Sequence, residues 1–242
     1  MSRYQLYTRG IRDSVPMLVG IAPFGIIFGT LAGAGGLSLW QALGMSMFVY
    51  AGSAQFIVVS LMGAGASAVV ILLTTFIVNL RHVLYSATLQ PQVSALPQRW
   101  RVLLAFWLTD ETFAVVQRFY IVHGRSPLGH WYWVGVASAL YACWVSSSVV
   151  GVLFGQAVPD LAGWGLEFAM LATFIGIVVP LLRNQPQIAA ALAAGAVALM
   201  THTWPYKLGL MAAAFSGIAV GVLLERRRSG ARDEASSHEV RS

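Results

Sequence analysis

The chain contains a run of 67 consecutive residues, from Ser14 to Leu80, without an Asp, Glu, Lys or Arg. Soluble domains do not sustain such a run, because about a quarter of their residues are charged. A bilayer core offers no water to backbone N–H and C=O groups, so an apolar stretch there forms packed helices that satisfy those groups internally. The run therefore predicts several consecutive helices within a membrane.

The composition of the whole chain indicates the same class. Of the 242 residues, 57% are hydrophobic and 10% are charged, which predicts an all-α, polytopic integral membrane helix bundle. The net charge of +6 comes mainly from Arg residues near the chain ends and in short loops. This pattern is typical of topology signals and not of a nucleic-acid-binding face. The only cysteine, Cys143, excludes an internal disulfide.

Apolar runs separated by Pro, Gly and charged residues predict eight transmembrane segments. They lie near residues 15–34, 40–62, 67–89, 102–118, 131–155, 165–183, 187–203 and 208–224. Both termini then share one side, which receives eleven Arg residues against three Lys or Arg on the other, so the positive-inside rule places both termini in the cytoplasm. Arg99 and Arg101 fall on the outer side in this arrangement. A re-entrant second segment, with seven crossings, is the rival.

The predicted segments form a single transmembrane domain over residues 1–224. Residues 225–242 are charged and Ser-rich, and such a segment buries too little apolar surface to order itself. We therefore expect residues 225–242 to form a disordered cytoplasmic tail.

Small residues recur at helical spacing in three of the predicted segments. Such faces let helix backbones approach closely, and they serve either packing inside the bundle or docking of a second membrane subunit. The faces consist of Gly25, Gly29 and Gly33, of Ser147, Gly151 and Gly155, and of Gly209, Ala213, Gly217 and Gly221.

Polar groups interrupt the apolar sequence in three places, of which the first is the middle of the second segment. Gly52, Ser53 and Gln55 lie there. Small polar residues at mid-depth are typical of an unwound helix whose free backbone groups bind a zwitterion or an ion. They are equally typical of a continuous helix whose Gln55 forms a hydrogen bond to a neighbouring helix.

The second place is the third segment, which carries Asn79, Arg81 and His82. A charged group at bilayer depth is costly and is by default a functional hypothesis. The guanidinium of Arg81 matches the geometry of a carboxylate ligand, although the same side chain can also snorkel to the nearer interface. The imidazole of His82 titrates near neutral pH, so it is a candidate proton relay, or else a structural hydrogen-bonding group.

The third place is the pair Asp110 and Glu111 inside the fourth segment. Consecutive residues of a helix point about 100° apart, so we expect the two carboxylates to have separate partners and not to share one site. Each is a candidate carrier of a coupling proton or a member of a structural ion pair, with Arg81 as a candidate partner.

These stretches together resemble the AzlC family, the large subunit of branched-chain amino-acid exporters. The resemblance covers about residues 10 to 225 and rests on motifs in matching order: Pro16–Gly25, Ala51–Phe56, Asn79–His82 and Thr109–Glu111. It implies a multi-pass protein of the bacterial inner (plasma) membrane that exports Val, Leu and Ile, with Met as a further candidate. It also implies secondary transport driven by an ion gradient, with protons as the expected ion, and a small AzlD-like membrane subunit as partner.

Several classes of protein are excluded by what the sequence lacks. It contains no Walker-type nucleotide loop and no Gly-x-Ser-x-Gly motif, and its five His residues do not have metal-ligand spacing. We therefore predict that the chain is not an enzyme and that it uses no cofactor or metal.

The resulting hypothesis is a transporter with a site at mid-depth. The residues that bind the amino and carboxylate groups are predicted to be Gly52, Ser53, Gln55, Asn79 and Arg81, and the residues that carry the proton are predicted among His82, Asp110 and Glu111. The alternatives are a transporter of another small zwitterion and a non-transporting membrane scaffold or assembly subunit.

Overall fold

The computed structural model describes residues 1–155, 175, 179, 182, 184–204 and 208–239. Its contacts group the chain into two units, Met1–Ile177 and Val178–Ser242, so the single domain expected over residues 1–224 stays a prediction. The helix predicted over residues 165–183 lies outside the described residues, apart from three isolated positions.

The described part of the first unit is helical throughout, with short connections. It consists of α1 (Arg3–Ala34), α2 (Leu39–Gly44), a π-helical turn (Met45–Val49), α3 (Gly52–Gly63), α4 (Ala68–Asn79), α5 (Arg81–Val93), α6 (Gln98–Phe106), α7 (Asp110–His123) and α8 (Gly129–Phe154). Within the described residues, three stretches are long and apolar enough to cross a membrane: α1, α4 together with α5, and α8.

The helices α1 and α8 pack side by side and run in the same direction. Near their starts, the hydroxyls of Tyr7 and Ser138 are 3.2 Å apart, and near their ends the Thr30 hydroxyl is within 3.3 Å of the Gly151 carbonyl oxygen. A Cβ atom on Gly29 would overlap the backbone of α8. The small-residue face of α1, with Gly29, and that of α8, with Gly151, therefore serve packing inside the bundle. We call the end where α1 and α8 begin the near end, and the opposite end the far end.

The segment from α2 to α3 is a hairpin that enters from the far end and returns to it. After the π-helical turn, Tyr50 reaches the middle of α8, where its ring lies 4.8 Å from that of Tyr141. The chain then turns back, and Val59 of α3 lies beside Gly35 at the far end. We call this segment the far hairpin and Tyr50–Gly52 its tip.

The segment from α6 to α7 is a second hairpin, which enters from the near end. The ring of Trp100 lies 5.3 Å from that of Trp131 at the start of α8, and Trp107 lies 6.0 Å from Tyr141 in the middle of α8. The chain then returns, and Phe119 stacks on Tyr132 at 4.0 Å, back at the near end. We call this segment the near hairpin and Trp107–Asp110 its tip.

Between the hairpins, α4 and α5 carry the chain from the far end to the near end. The two helices meet at a break at Leu80, where the N–H of Leu80 bonds to Ile77 and the carbonyl of Leu80 accepts from Val83, both with the tighter three-residue spacing. At the end of α5, Ser94 accepts a hydrogen bond of 3.4 Å from Arg125, which follows α7.

The two hairpins differ from the predicted path, in which segments 40–62 and 102–118 cross the bilayer. Their arms rise by about 1.5 Å per residue, so helices of 9 to 14 residues fall short of a hydrocarbon core of about 30 Å. Of the five segments predicted over residues 1–155, three are long and apolar enough as helices to cross a membrane. The far hairpin agrees with the rival prediction of a re-entrant second segment, and the number of crossings stays a prediction.

The second unit contains α9 (Gln185–Met200) and α10 (Leu208–Glu239) among its described residues. A Cβ atom on Gly217 would lie 3.0 Å from the side chain of Ala194, and one on Gly221 would lie 3.2 Å from that of Ala190. The small-residue face of this segment therefore also packs within its own unit. The helix α10 continues into the charged tail, and the expected disorder of that tail in water stays a prediction.

The positions of the two hairpins change the predicted distribution of positive charge across the membrane. All Arg residues of the first 155 except Arg81 now lie at or towards the near end: Arg3, Arg9, Arg12, Arg99, Arg101, Arg118 and Arg125. The positive-inside rule therefore predicts that the near end lies in the cytoplasm. Arg99 and Arg101 then also lie on the cytoplasmic side and no longer on the outer side.

Cysteine labelling distinguishes this path from eight crossings. In a Cys143→Ser background, we expect Ser67→Cys in intact cells to react with a membrane-impermeant maleimide and Ser94→Cys to react only after permeabilisation. Eight crossings with a cytoplasmic N-terminus require the reverse at both positions. Ser126→Cys serves as the control, because both paths place it in the cytoplasm.

Candidate functional site

The tips of both hairpins and the break at Leu80 meet around one small cavity. The far hairpin contributes Tyr50, Ala51, Gly52 and Ser53, the near hairpin contributes Thr109, Asp110 and Glu111, α5 contributes Arg81 and His82, and α1 and α8 contribute Ile21, Phe24 and Trp144. Of the eight predicted site residues, six line this cavity and two, Gln55 and Asn79, do not. The three polar stretches of the sequence thus converge.

The centre of the cavity wall is an ion pair between Arg81 and Asp110. The Nη1 atom of Arg81 lies 2.9 Å from one carboxylate oxygen of Asp110, and the Tyr85 hydroxyl donates a hydrogen bond of 2.6 Å to the other. Both side chains are largely withdrawn from the surface, with 24% and 13% exposed. The Nε of Arg81 is buried and has no hydrogen-bond partner among the described residues, so the guanidinium retains an unused donor.

The far tip presents an uncapped helix start to the cavity. Tyr50 adopts a left-handed conformation with φ of +43°, which separates the π-helical turn from α3. Ala51, at the N-cap of α3, makes no side-chain capping hydrogen bond. The first N–H groups of a helix have no partner within it and carry partial positive charge, so the start of α3 favours an anionic group.

The near tip places two carboxylates at the start of α7. Thr109 is the N-cap, and its hydroxyl accepts from the N–H of Thr112 at 3.3 Å. Asp110 and Glu111 occupy the first turn, where the helix dipole favours negative charge. Both line the cavity. Asp110 contacts Arg81 and Tyr85, and Glu111 takes part in neither of these contacts, which agrees with the expectation of separate partners.

Aromatic side chains close the apolar side of the cavity. Phe24 stacks on Phe56 with 4.5 Å between ring centres, and Trp144 meets Phe24 edge to face at 5.8 Å. Gly52 keeps the far tip close to this wall, because a Cβ atom there would lie 3.2 Å from the Trp144 ring. Sequence reasoning missed Phe24 and Trp144, since nothing distinguishes them from the other aromatic residues of an apolar chain.

Gln55 is fully buried behind the cavity wall, with 0% exposed. The indole N–H of Trp144 donates to its side-chain oxygen at 3.1 Å, and its amide donates to Ser46 at 3.2 Å. Ser46 in turn donates to Ser148 at 2.9 Å. Gln55 therefore joins the far hairpin to α8 and positions Trp144, as in the second of the two alternatives that the sequence left open. It does not line the cavity, and its predicted role in substrate binding stays a prediction.

Asn79 and His82 lie on either side of the break at Leu80. The Nδ1 atom of His82 is 3.0 Å from the Asn79 carbonyl oxygen, and since a carbonyl only accepts, Nδ1 carries the proton of that hydrogen bond. The side-chain oxygen of Asn79 is buried without a partner among the described residues, but it does not line the cavity. The structure therefore does not support Asn79 as a direct ligand, whereas His82 faces the site.

The cavity is small in this conformation. Its volume is about 30 Å³, which is room for roughly one or two water molecules. An organic ligand enters only when the hairpin tips or the Arg81–Asp110 pair move apart.

We expect Gln55→Leu to lower the free energy of unfolding by about 1–3 kcal/mol, because it leaves the buried indole N–H of Trp144 without an acceptor. Thermal unfolding of the purified protein in detergent measures this loss. Gln92→Leu is the matched control, since the side-chain oxygen of Gln92 is buried without a partner among the described residues and its removal breaks no such contact. Equal stability of the two variants would contradict the positioning role of Gln55.

Half-helices that meet around a buried ion pair at mid-depth, with charged groups facing a cavity, are the arrangement of membrane transport proteins. The family model described as AzlC protein matches residues 16–158. The chain belongs to the AzlC family, which is associated with membrane transport and not with catalysis. The resemblance predicted from the motifs is confirmed.

Relatives extend this assignment over nearly the whole chain. Inner membrane protein YgaZ of Escherichia coli is 29% identical over 94% of each chain. An uncharacterized membrane protein of Helicobacter pylori is 31% identical over 70% of this chain and 74% of its own. The branched-chain amino acid transport protein AzlC of Bacillus subtilis is 25% identical over 69% and 64%. No solved structure matches. The predicted multi-pass inner-membrane location is confirmed.

Proposed function

We propose that the chain is a secondary active exporter of the branched-chain amino acids Val, Leu and Ile, with Met as a further candidate. It is driven by a proton gradient and works with a small AzlD-like membrane subunit. The observation that carries this proposal is the Arg81–Asp110 ion pair between two half-helix starts. The name of the Bacillus subtilis relative supports the substrate class.

The substrate carboxylate replaces Asp110 as the partner of Arg81. The guanidinium accepts a carboxylate in bidentate geometry, and its unpartnered Nε supplies a further donor. The uncapped start of α3 at Gly52 and Ser53 adds backbone N–H groups for the same anion. The exchange keeps the charges paired, because the substrate carboxylate takes the place of Asp110 beside Arg81 and the substrate ammonium takes the place of Arg81 beside Asp110.

Substrate and proton occupy the site in turn. The substrate ammonium beside the Asp110–Glu111 pair favours the ionised carboxylates, so substrate binding from the cytoplasm releases a proton there. After the substrate leaves to the outside, the pair takes up a proton from that side and carries it inward as the site returns. His82, which faces the cavity, is the candidate relay between this pair and water.

The apolar wall selects the side chain. Ile21, Phe24 and Trp144 form the face opposite the charged groups, and a branched aliphatic side chain buries its surface there at about 25 cal/mol per Å². A polar side chain at the same place would lose its water contacts without gaining a partner.

The two hairpins provide access from opposite sides. The stretch of α1 with the far hairpin and the stretch of α4 and α5 with the near hairpin repeat one pattern in inverted orientation, a crossing followed by a hairpin from the end just reached. Inverted repeats of this kind support alternating access, in which each hairpin opens the site to its own side. We therefore assign the near hairpin to the cytoplasmic gate and the far hairpin to the outer gate.

Isoleucine efflux tests the proposal. Cells that lack other exporters and express the chain with its adjacent small subunit are loaded with an isoleucine-containing dipeptide, and the released isoleucine is followed in the medium. We expect efflux that depends on the chain and collapses with the proton gradient. Release at the rate of the empty strain, with the protein inserted in the membrane, would favour the scaffold alternative.

A further inference from the structure

A second, larger cavity lies between α5, α6 and α8, towards the near end from the site. Its volume is about 230 Å³. An engineered cavity of about 150 Å³ holds benzene, with six non-hydrogen atoms. At the same space per atom, leucine with its nine non-hydrogen atoms needs about 225 Å³. The second cavity thus has the size of a whole branched-chain amino acid, while the first cavity does not.

The lining of this cavity is apolar in its depth and polar at its rim. The inner wall consists of buried side chains, among them Leu89, Leu104 and Trp133. The rim carries Gln90, Gln98 and Arg101. A molecule with an aliphatic part and a charged carboxylate matches this division of the surface.

The cavity also adjoins the ion-pair site along two elements. Ser86 lines the second cavity, and its neighbour Tyr85 holds Asp110. Leu108 lines the second cavity, and its neighbour Thr109 lines the first. The two cavities are thus lined by neighbouring residues of both elements.

We propose that this cavity is a cytoplasmic loading site, which binds a branched-chain amino acid before it passes to Arg81. The inference rests on the proposed function and adds a second binding position to it. Arg101 attracts the carboxylate of the incoming amino acid, and the leucine-rich wall takes its side chain.

Equilibrium binding of radiolabelled leucine to the purified chain with its small subunit tests this inference. We expect two leucines per chain in the parent and one in Ala105→Phe, since Ala105 lines the cavity and a phenyl ring there fills it. Ala87→Phe is the matched control: Ala87 is exposed on α5 and does not line the cavity, so that variant keeps two leucines.

The rim charge gives an independent test with its own control. We expect Arg101→Gln to weaken one of the two binding events about tenfold and Arg99→Gln to weaken neither, because Arg99 does not line the cavity. One leucine per chain in both the parent and Ala105→Phe would overturn the loading site while leaving the proposed exporter intact. Displacement of a co-purified lipid by Ala105→Phe, with unchanged leucine binding, would overturn it as well. Absence of leucine binding together with absence of export would contradict both proposals.

Discussion

Replacement of Arg81 by Gln is expected to lower branched-chain amino-acid export by a factor on the order of 100, because loss of one partner of a buried charge pair costs about 2–5 kcal/mol. The variant removes the only charged group of α5 that faces the cavity among the described residues. Efflux from dipeptide-loaded cells measures the effect. Arg118→Gln is the control, since Arg118 is exposed on α7 and should export at the parental rate.

Structural damage and functional loss can be separated with the double variant Arg81→Gln/Asp110→Asn. The single variant leaves the Asp110 carboxylate, which is 13% exposed, without its cation, which destabilises the fold by about 1–3 kcal/mol. The double variant removes both charges, so we expect most of the thermal stability to return. Export should remain absent. Recovery of export along with stability would mean that the ion pair only joins helices.

Replacement of Asp110 by Asn is expected to uncouple export from the proton gradient. The amide cannot carry the coupling proton. The factor by which an imposed pH gradient stimulates leucine efflux from proteoliposomes should therefore fall more than about tenfold. Exchange of internal for external leucine does not require net proton movement and should persist. The two rates are measured on the same vesicles, so a loss of protein affects both equally.

Two further variants complete this test. Glu111→Gln shows whether the neighbouring carboxylate, which lines the same cavity, takes part in proton transfer. Glu225→Gln is the control, because Glu225 is exposed beyond the apolar part of α10. Unchanged stimulation by the pH gradient in Asp110→Asn would remove Asp110 from the coupling mechanism.

The class of the fold follows from the sequence, but the path of the chain does not. A stretch such as Ser14 to Leu80 without charge can only be a set of membrane helices. Its apolar pattern is the same for a crossing helix and for a hairpin that turns at mid-depth, because both arms of the hairpin also face packed helices or lipid. The unfavourable placement of Arg99 and Arg101 on the outer side is one sequence signal against eight crossings.

The sequence also contained the helix start at Thr109. A Thr followed by Asp110 and Glu111 is a typical N-cap with an acidic first turn, and it marks α7 as a new helix. The hydrophobicity of the surrounding segment masked this local signal. Once the start is recognised, the two carboxylates belong at a helix terminus and can face one cavity.

The partners of the site residues could be predicted only in part. Charged and small polar residues stand out in an apolar chain, so Arg81, Asp110 and Gly52 were found. Phe24 and Trp144 were not, because their contribution depends on packing between helices distant in sequence. The sequence left two roles open for Gln55, since a buried amide that joins helices and one that binds a ligand have the same sequence pattern, and the structure shows the contacts of the first.

The most direct test of the translocation site is leucine efflux from proteoliposomes that contain the purified chain with its small subunit, under an imposed pH gradient. The parent protein is compared with the stable, charge-neutral variant Arg81→Gln/Asp110→Asn. We predict gradient-driven efflux from the parent and none above empty vesicles from the variant. Efflux from the variant at the parental rate would contradict a transport role for the Arg81–Asp110 pair.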